Sequence, residues 1–233
     1  MGALVGITVH EAIRRELDNW AAHRAVSARS AKDFAEGFLR RTWSSEREGI
    51  AERANGMELD PTLLPRLENA ARIQLDTFFR MVWPQFETYR HEQHEVLSWF
   101  DMGRFALVAK VDLAVWDDRE RLLVVDWKTG EWAGSYSDRA QLAFYTLWAK
   151  VTLGLELDMI VPMIVRIRSG ELVYFQPHEA DIQFILELID SDFQTVFEMN
   201  EHRDFPPVPD MRKCLGCSFL ARCVDGKAVV GTK

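Results

Sequence analysis

A mixed β-sheet flanked by helices is the fold this sequence predicts, and three observations lead to it. Apolar residues recur at helical spacing as far as Trp83-Pro84. From 93 to 128 the pattern becomes strand-like, rich in Val, Leu, Phe and Trp and cut by short polar turns. A helical stretch, two strands and a final helix follow. Helices, three strands, helix, two strands and helix pack most simply as one mixed sheet between helices.

The elements read in order as follows. Residues 4–24 form a helix with Ile7, Ala12, Ile13, Leu17 and Trp20 on an apolar stripe, and 30–48 form a second, left at Asn55-Gly56. Asp60-Pro61 caps a long third helix carrying Leu64, Leu67, Ala71, Phe78 and Val82. Strands at 93–100, 104–116 and 121–128, separated by Asp101-Met-Gly103 and Asp117-Asp118-Arg-Glu120, predict an antiparallel meander. A helix over 137–152 leads to strands at 158–168 and 171–176, joined at Ser169-Gly170. An amphipathic helix over 178–200 ends before Phe205-Pro-Pro-Val-Pro209. The predicted organisation is a main domain over 1–205, helical to residue 90 with its core over 91–205, and a cysteine-bearing segment over 206–233.

At 233 residues the chain can bury one substantial core. Its apolar runs are strand-sized, far below the roughly 20 residues of a membrane span. The N-terminus lacks a basic region before its apolar residues, so it does not read as a signal peptide, and a cytoplasmic protein is expected. The net charge of −8 argues at first against a nucleic-acid partner. Residues 178–204, however, carry −7 of it, and bases gather at Arg24, Arg29, Lys32, Arg40, Arg41 and Arg47 and again at Arg212, Lys213, Arg222 and Lys227. Charge therefore permits such a partner without favouring one.

Asp126-Trp127-Lys128 closes the run Leu122-Leu123-Val124-Val125, and Asp112 closes Phe105-Ala-Leu-Val-Ala-Lys-Val111. A hard cation such as Mg²⁺ or Mn²⁺ prefers carboxylate oxygens and needs few protein ligands. Held at Asp112 and Asp126, it would polarise a phosphate and acidify water. Lys128 shares a strand face with Asp126 and can neutralise charge at the phosphate, while Trp127 points to the opposite face. Taken alone, Asp-x-Lys at a strand end reads better as a solvated turn than as an active site. Gln141 and Tyr145 share a helix face, His10 stands on the first helix between Gly6 and Arg14, and Glu95 is a further candidate.

Together these residues resemble the PD-(D/E)xK nuclease superfamily, and its RecB-like branch in particular, which includes AddB nuclease domains and CRISPR-adaptation exonucleases. The motifs are Gly6-Ile-Thr-Val-His10-Glu11, Asp112, Asp126-Trp-Lys128 and Gln141-Leu-Ala-Phe-Tyr145, in family order over residues 6 to about 223. The resemblance implies a restriction-endonuclease-like core and metal-dependent cleavage of DNA, on single-stranded ends, in repair, recombination or CRISPR adaptation, with a helicase or recombination protein as partner. It makes His10, Asp112, Asp126 and the Trp127 carbonyl metal ligands and Lys128 the catalytic lysine. Gln141 and Tyr145 become helix residues lining the site. One departure is Ala109-Lys110, where the family often has a glycine before the acid; it is expected to alter packing more than chemistry. A catalytically inactive DNA-binding scaffold of the same fold is the rival reading.

Cys214-x2-Cys217-x5-Cys223 suggests metal ligands rather than disulfides. It is similar to the C-terminal part of the iron–sulfur staple of that branch, whose fourth cysteine precedes the histidine motif. A [4Fe–4S] cluster normally requires four thiolates and this chain has three. Several readings stand: a longer protein supplies the fourth; the site is degenerate; an outside ligand such as His178, His202 or a partner residue completes a zinc or iron–sulfur site; the thiols are simply reduced. A zinc-binding interaction module is the corresponding rival function.

Overall fold

The computed structural model describes residues 2–53, 62–130, 136–199, 206–215, 217 and 219–231. Three helices come first: α1 (Gly2–Ala21), α2 (Ala28–Arg53) and α3 (Leu63–Thr77). They pack on one another because each presents an apolar stripe, with Val9, Ala12, Ile13 and Leu17 meeting Ala31, Ala35 and Leu39 and Leu67, Ala71 and Leu75. The Asn55-Gly56 exit and the Asp60-Pro61 cap lie outside the described residues. Beyond Thr77 the helix widens into a π-turn over Phe78–Val82, then tightens over Trp83–Gln85. Pro84, lacking an N–H, sits at the start of that last turn.

The strands are β1 (Arg90–Gln93), β2 (Leu97–Asp101), β3 (Ala106–Lys110), β4 (Leu113–Trp116) and β5 (Leu122–Lys128). After α4 (Tyr136–Leu153) come β6 (Ile160–Arg166), β7 (Glu171–Tyr174) and α5 (Glu179–Glu198). The main sheet has the order β1-β4-β5-β6-β7. All its pairs are antiparallel except β5–β6, whose parallel pairing requires the long crossover that α4 supplies. Short helices α6 (Met211–Leu215) and α7 (Val224–Val230) carry the cysteine segment.

The predicted mixed sheet between helices is the architecture found. Its meander differs from expectation in one respect. The single strand expected over 104–116 is two strands, β3 and β4, and 93–100 is shared between β1 and β2. Together they make one long bent hairpin. Its outer half, β2–β3, leaves the main sheet as a separate two-stranded ribbon. The break falls where Glu95 takes a left-handed backbone (φ 52°) and donates its N–H to the Val111 carbonyl at 2.8 Å. Such a conformation is costly for a non-glycine residue, and here the surrounding bonds impose it.

Residue parity along β5 divides the core. Leu123, Val125 and Trp127 face α1 and α3, while Leu122 and Val124 face α4 and α5. Trp127 lies edge-on to both Phe78 and Phe86 at ring separations of 5.4 and 5.8 Å, which fixes this end of β5.

Candidate active site

The same parity sends Asp126 and Lys128 to the α4 side of the sheet. Leu113 pairs with Val125, so the next rung sets Asp112 against Asp126. The Asp112 Oδ2 accepts the Trp127 N–H at 2.6 Å, which pins that carboxylate across the end of the rung. Two acids are thus held side by side, both buried, where the regular sheet ends.

The other side of the site comes from α1. Gly6 lets this helix approach β5: a Cβ there would lie 2.8 Å from Thr129 Oγ1. One turn on, His10 Nε2 lies 3.1 Å from the Trp127 carbonyl oxygen. A carbonyl only accepts, so Nε2 carries the proton in this bond. Nδ1 is left facing Asp112 Oδ1 at 3.6 Å and Glu95 Oε1 at 3.7 Å. Ligating atoms of His10, Glu95 and Asp112 all lie within 4.8 Å of one another. An imidazole whose far nitrogen donates to a backbone carbonyl is oriented as metal-binding histidines generally are.

From α4, Gln141 joins the strand residues. Its Nε2 donates to Asp126 Oδ1 at 2.7 Å and lies 3.0 Å from the Tyr145 hydroxyl, while its Oε1 accepts from Lys128 Nζ at 2.7 Å. Lys128 also pairs with Asp126 Oδ2 at 2.8 Å. Tyr145 donates to the Lys110 carbonyl at 3.0 Å, tying α4 to the bent hairpin.

Electrostatics follow from this crowding. Burial, with Asp126 and Glu95 adding repulsion, pushes the Asp112 carboxyl up to about 7 despite the opposing pull of His10. Asp126 is likewise raised by burial, against Lys128. Burial lowers His10, but the adjacent carboxylates of Glu95, Asp112 and Asp126 outweigh that and leave it raised. Burial raises Glu95, yet His10 and Lys110 together bring it below its usual value. Burial also raises the Tyr145 hydroxyl, so it acts here as a neutral hydrogen-bonding group. Glu95 has Lys110 and Asp126 has Lys128, so Asp112 is the acid with only the histidine to offset it. The oxygen-rich donor set fits a hard divalent cation.

The structure therefore brings His10, Asp112, Asp126, Lys128, Gln141 and Tyr145 to one place. The Trp127 carbonyl is there too, accepting from His10. Glu95 stands closer to the histidine than its remote position in sequence suggested, carried in by the left-handed bend. Lys110 was not singled out from sequence as a site residue, yet it forms an ion pair with Glu95. Its only sequence signal was its replacement of the usual glycine near Asp112. Cys214, Cys217 and Cys223 are free thiols on the C-terminal segment. Cys223 caps α7 by accepting the Gly226 N–H at 3.2 Å. They do not form the converging group of ligands found among the described residues. His178 caps α5, and His202 lies outside the described residues.

Comparison with protein families matches residues 2–224 to the PD-(D/E)XK nuclease superfamily. No curated protein matches the sequence. The family match takes in nearly the whole chain, and the chain belongs to that superfamily.

Proposed function

We propose that this member of the nuclease superfamily is a Mg²⁺- or Mn²⁺-dependent deoxyribonuclease whose active site is the cluster of His10, Glu95, Asp112, Asp126 and Lys128. The observation that carries the reading is the convergence of His10, Glu95 and Asp112 ligating atoms within 4.8 Å, beside the Asp126 carboxylate, which burial raises. His10 through Nδ1, Glu95, Asp112 and Asp126 would hold the cation. When bound, it supplies charge neutralisation at the phosphate and acidifies water. Lys128, steered by Gln141, holds a positive charge where the phosphate gains negative charge, and Tyr145 holds Gln141. In the hydrolysis, the water oxygen bonds to phosphorus in line as the ester P–O bond breaks. The leaving oxygen takes a proton, giving a phosphate monoester and an alcohol.

Our reading extends to cleavage from single-stranded ends in repair, recombination or CRISPR adaptation, alongside a helicase or recombination protein. Its support is the RecB-like order of the motifs. For the C-terminal thiols, the Cys-x2-Cys-x5-Cys spacing supports a zinc or iron–sulfur centre only with a fourth ligand, and no catalytic step is routed through it.

Asp126→Ala tests the active-site assignment. The variant should retain the wild-type far-ultraviolet dichroism and lose Mg²⁺-dependent degradation of single-stranded DNA by at least about 100-fold, the scale of losing a preorganised charge-stabilising group. Cleavage at the wild-type rate would make the assignment wrong.

A further inference from the structure

The β2–β3 ribbon stands apart from the main sheet, and one of its faces is apolar and uncovered. On that face Leu97 is 61% exposed and Trp99, two residues on, is 70% exposed, with neighbouring Val96 also open. The opposite face is anchored: Phe100 and Ala109 are buried, and Phe100 contacts Phe144 of α4 at a ring separation of 5.7 Å. An anchored ribbon presenting a bare tryptophan is a rigid aromatic platform.

The position of the platform is what identifies its occupant. Leu97 pairs with Lys110 and Trp99 with Val108. Lys110, half-exposed, reaches back to Glu95 of the metal-binding cluster. The ribbon therefore begins at the active site, and the tryptophan rung lies two residues beyond the lysine rung, about 7 Å further out. A shallow groove of about 360 Å³ continues past Trp99, lined by Phe100, Asp101, Gly103, Arg104 and Phe105.

We infer that Trp99 is a base-stacking platform for single-stranded DNA entering the active site, with Lys110 meeting the backbone between ring and carboxylates. The inference rests on the nuclease reading of the cluster. Every base has a π-face, so one exposed indole holds a strand without reading its sequence. In a duplex the base faces are already stacked on one another, so the platform selects unpaired substrate. A protein partner fits less well. The exposed apolar residues form a ridge two strands wide, whereas a stable protein interface covers about 800 Å² on each partner.

The test is binding of a short fluorescein-labelled oligothymidine, followed by anisotropy with Ca²⁺ in place of Mg²⁺. A hairpin duplex is titrated in parallel. Trp99→Ala should weaken oligothymidine binding by about 5- to 100-fold, the range for loss of one stacked base. Trp99→Phe should recover most of it, and duplex binding should change little. In Mg²⁺, Trp99→Ala should raise KM with kcat near the wild-type value, since the ring does not touch the reacting phosphate.

Equal oligothymidine affinity for Trp99→Ala and wild type, or no binding by wild type, overturns the platform. So does unchanged DNA affinity together with loss of a dimer by sedimentation, which would make the ridge a self-association surface. The cleavage assay stands apart from these outcomes. Trp99-dependent binding without metal-dependent cleavage would sink the nuclease reading and leave the strand-binding role standing.

Discussion

At the scale of single residues, the site is built around charges that the fold holds in tension. Asp112 is the clearest case, since burial pushes its carboxyl up to about 7 while an unfolded chain leaves it near the ordinary value of about 4. The folded protein then binds the Asp112 proton more tightly than the unfolded one. That contribution to stability is fully present below about pH 4 and is lost as pH rises through about 7. Without metal, Asp112→Asn removes the ionisation and keeps an oxygen to accept the Trp127 N–H. Scanning fluorimetry in EDTA should therefore show the variant melting roughly 2–6 °C above wild type at pH 8, with the gap closing towards pH 5. A difference independent of pH would show that Asp112 does not carry the strain. Mn²⁺ should reverse the order at pH 8, because only the carboxylate contributes charge to the ion.

At the scale of elements, what could be read from sequence was whatever periodicity governs. The step of two residues in β5 put Asp126 with Lys128 and turned Trp127 away, and the step of four in α4 put Gln141 with Tyr145. The bend at Glu95 was not legible in the same way. No glycine or proline marks it, the Val, Leu and Ala of 106–116 run on past Lys110 and Asp112 in a strand-like pattern, and the left-handed turn is imposed by tertiary contacts. Those contacts are visible in the chain of hydrogen bonds beside it. His91 Nε2 lies 2.8 Å from His94 Nδ1, and His94 Nε2 lies 3.0 Å from Asp18 Oδ1, two turns after His10 on α1. This chain ties the corner that carries Glu95 to the helix that carries His10. Breaking it with His94→Ala should weaken Mn²⁺ binding about 10-fold by calorimetry, the usual cost of losing a group that orients a ligand. Unchanged affinity would mean the corner holds Glu95 without α1.

At the scale of the whole molecule, the question is how a chain of net charge −8 grips a polyanion. The sequence pointed to the bases between 24 and 47, but several of them are engaged within the helical layer. Arg29 pairs with Asp33, Lys32 with Asp76, and Arg40 with Glu36 and Glu68. Two of these pairs link α2 to α3 and the other two lie along α2, so the charges are spent within the helical layer. Near the site, among the described residues, Lys110 and Lys128 each already face a carboxylate, and Arg14 is paired with Glu11 and Asp18. On the proposed reading, affinity comes from the metal bridge and from stacking more than from release of counterions. Oligothymidine binding, measured in Ca²⁺ from about 50 to 200 mM salt, should have a shallow dependence. At about −0.7 per phosphate contact on a single strand, two contacts give a log–log slope near −1.4. A slope steeper than about −4 would require six or more phosphate contacts, and so a basic surface that the paired arginines and lysines of α2 do not supply. It would favour the rival reading, a non-catalytic scaffold that holds DNA by charge. A slope near −1.4 that becomes no binding at all in EDTA is the signature of a strand held chiefly through its metal and its bases.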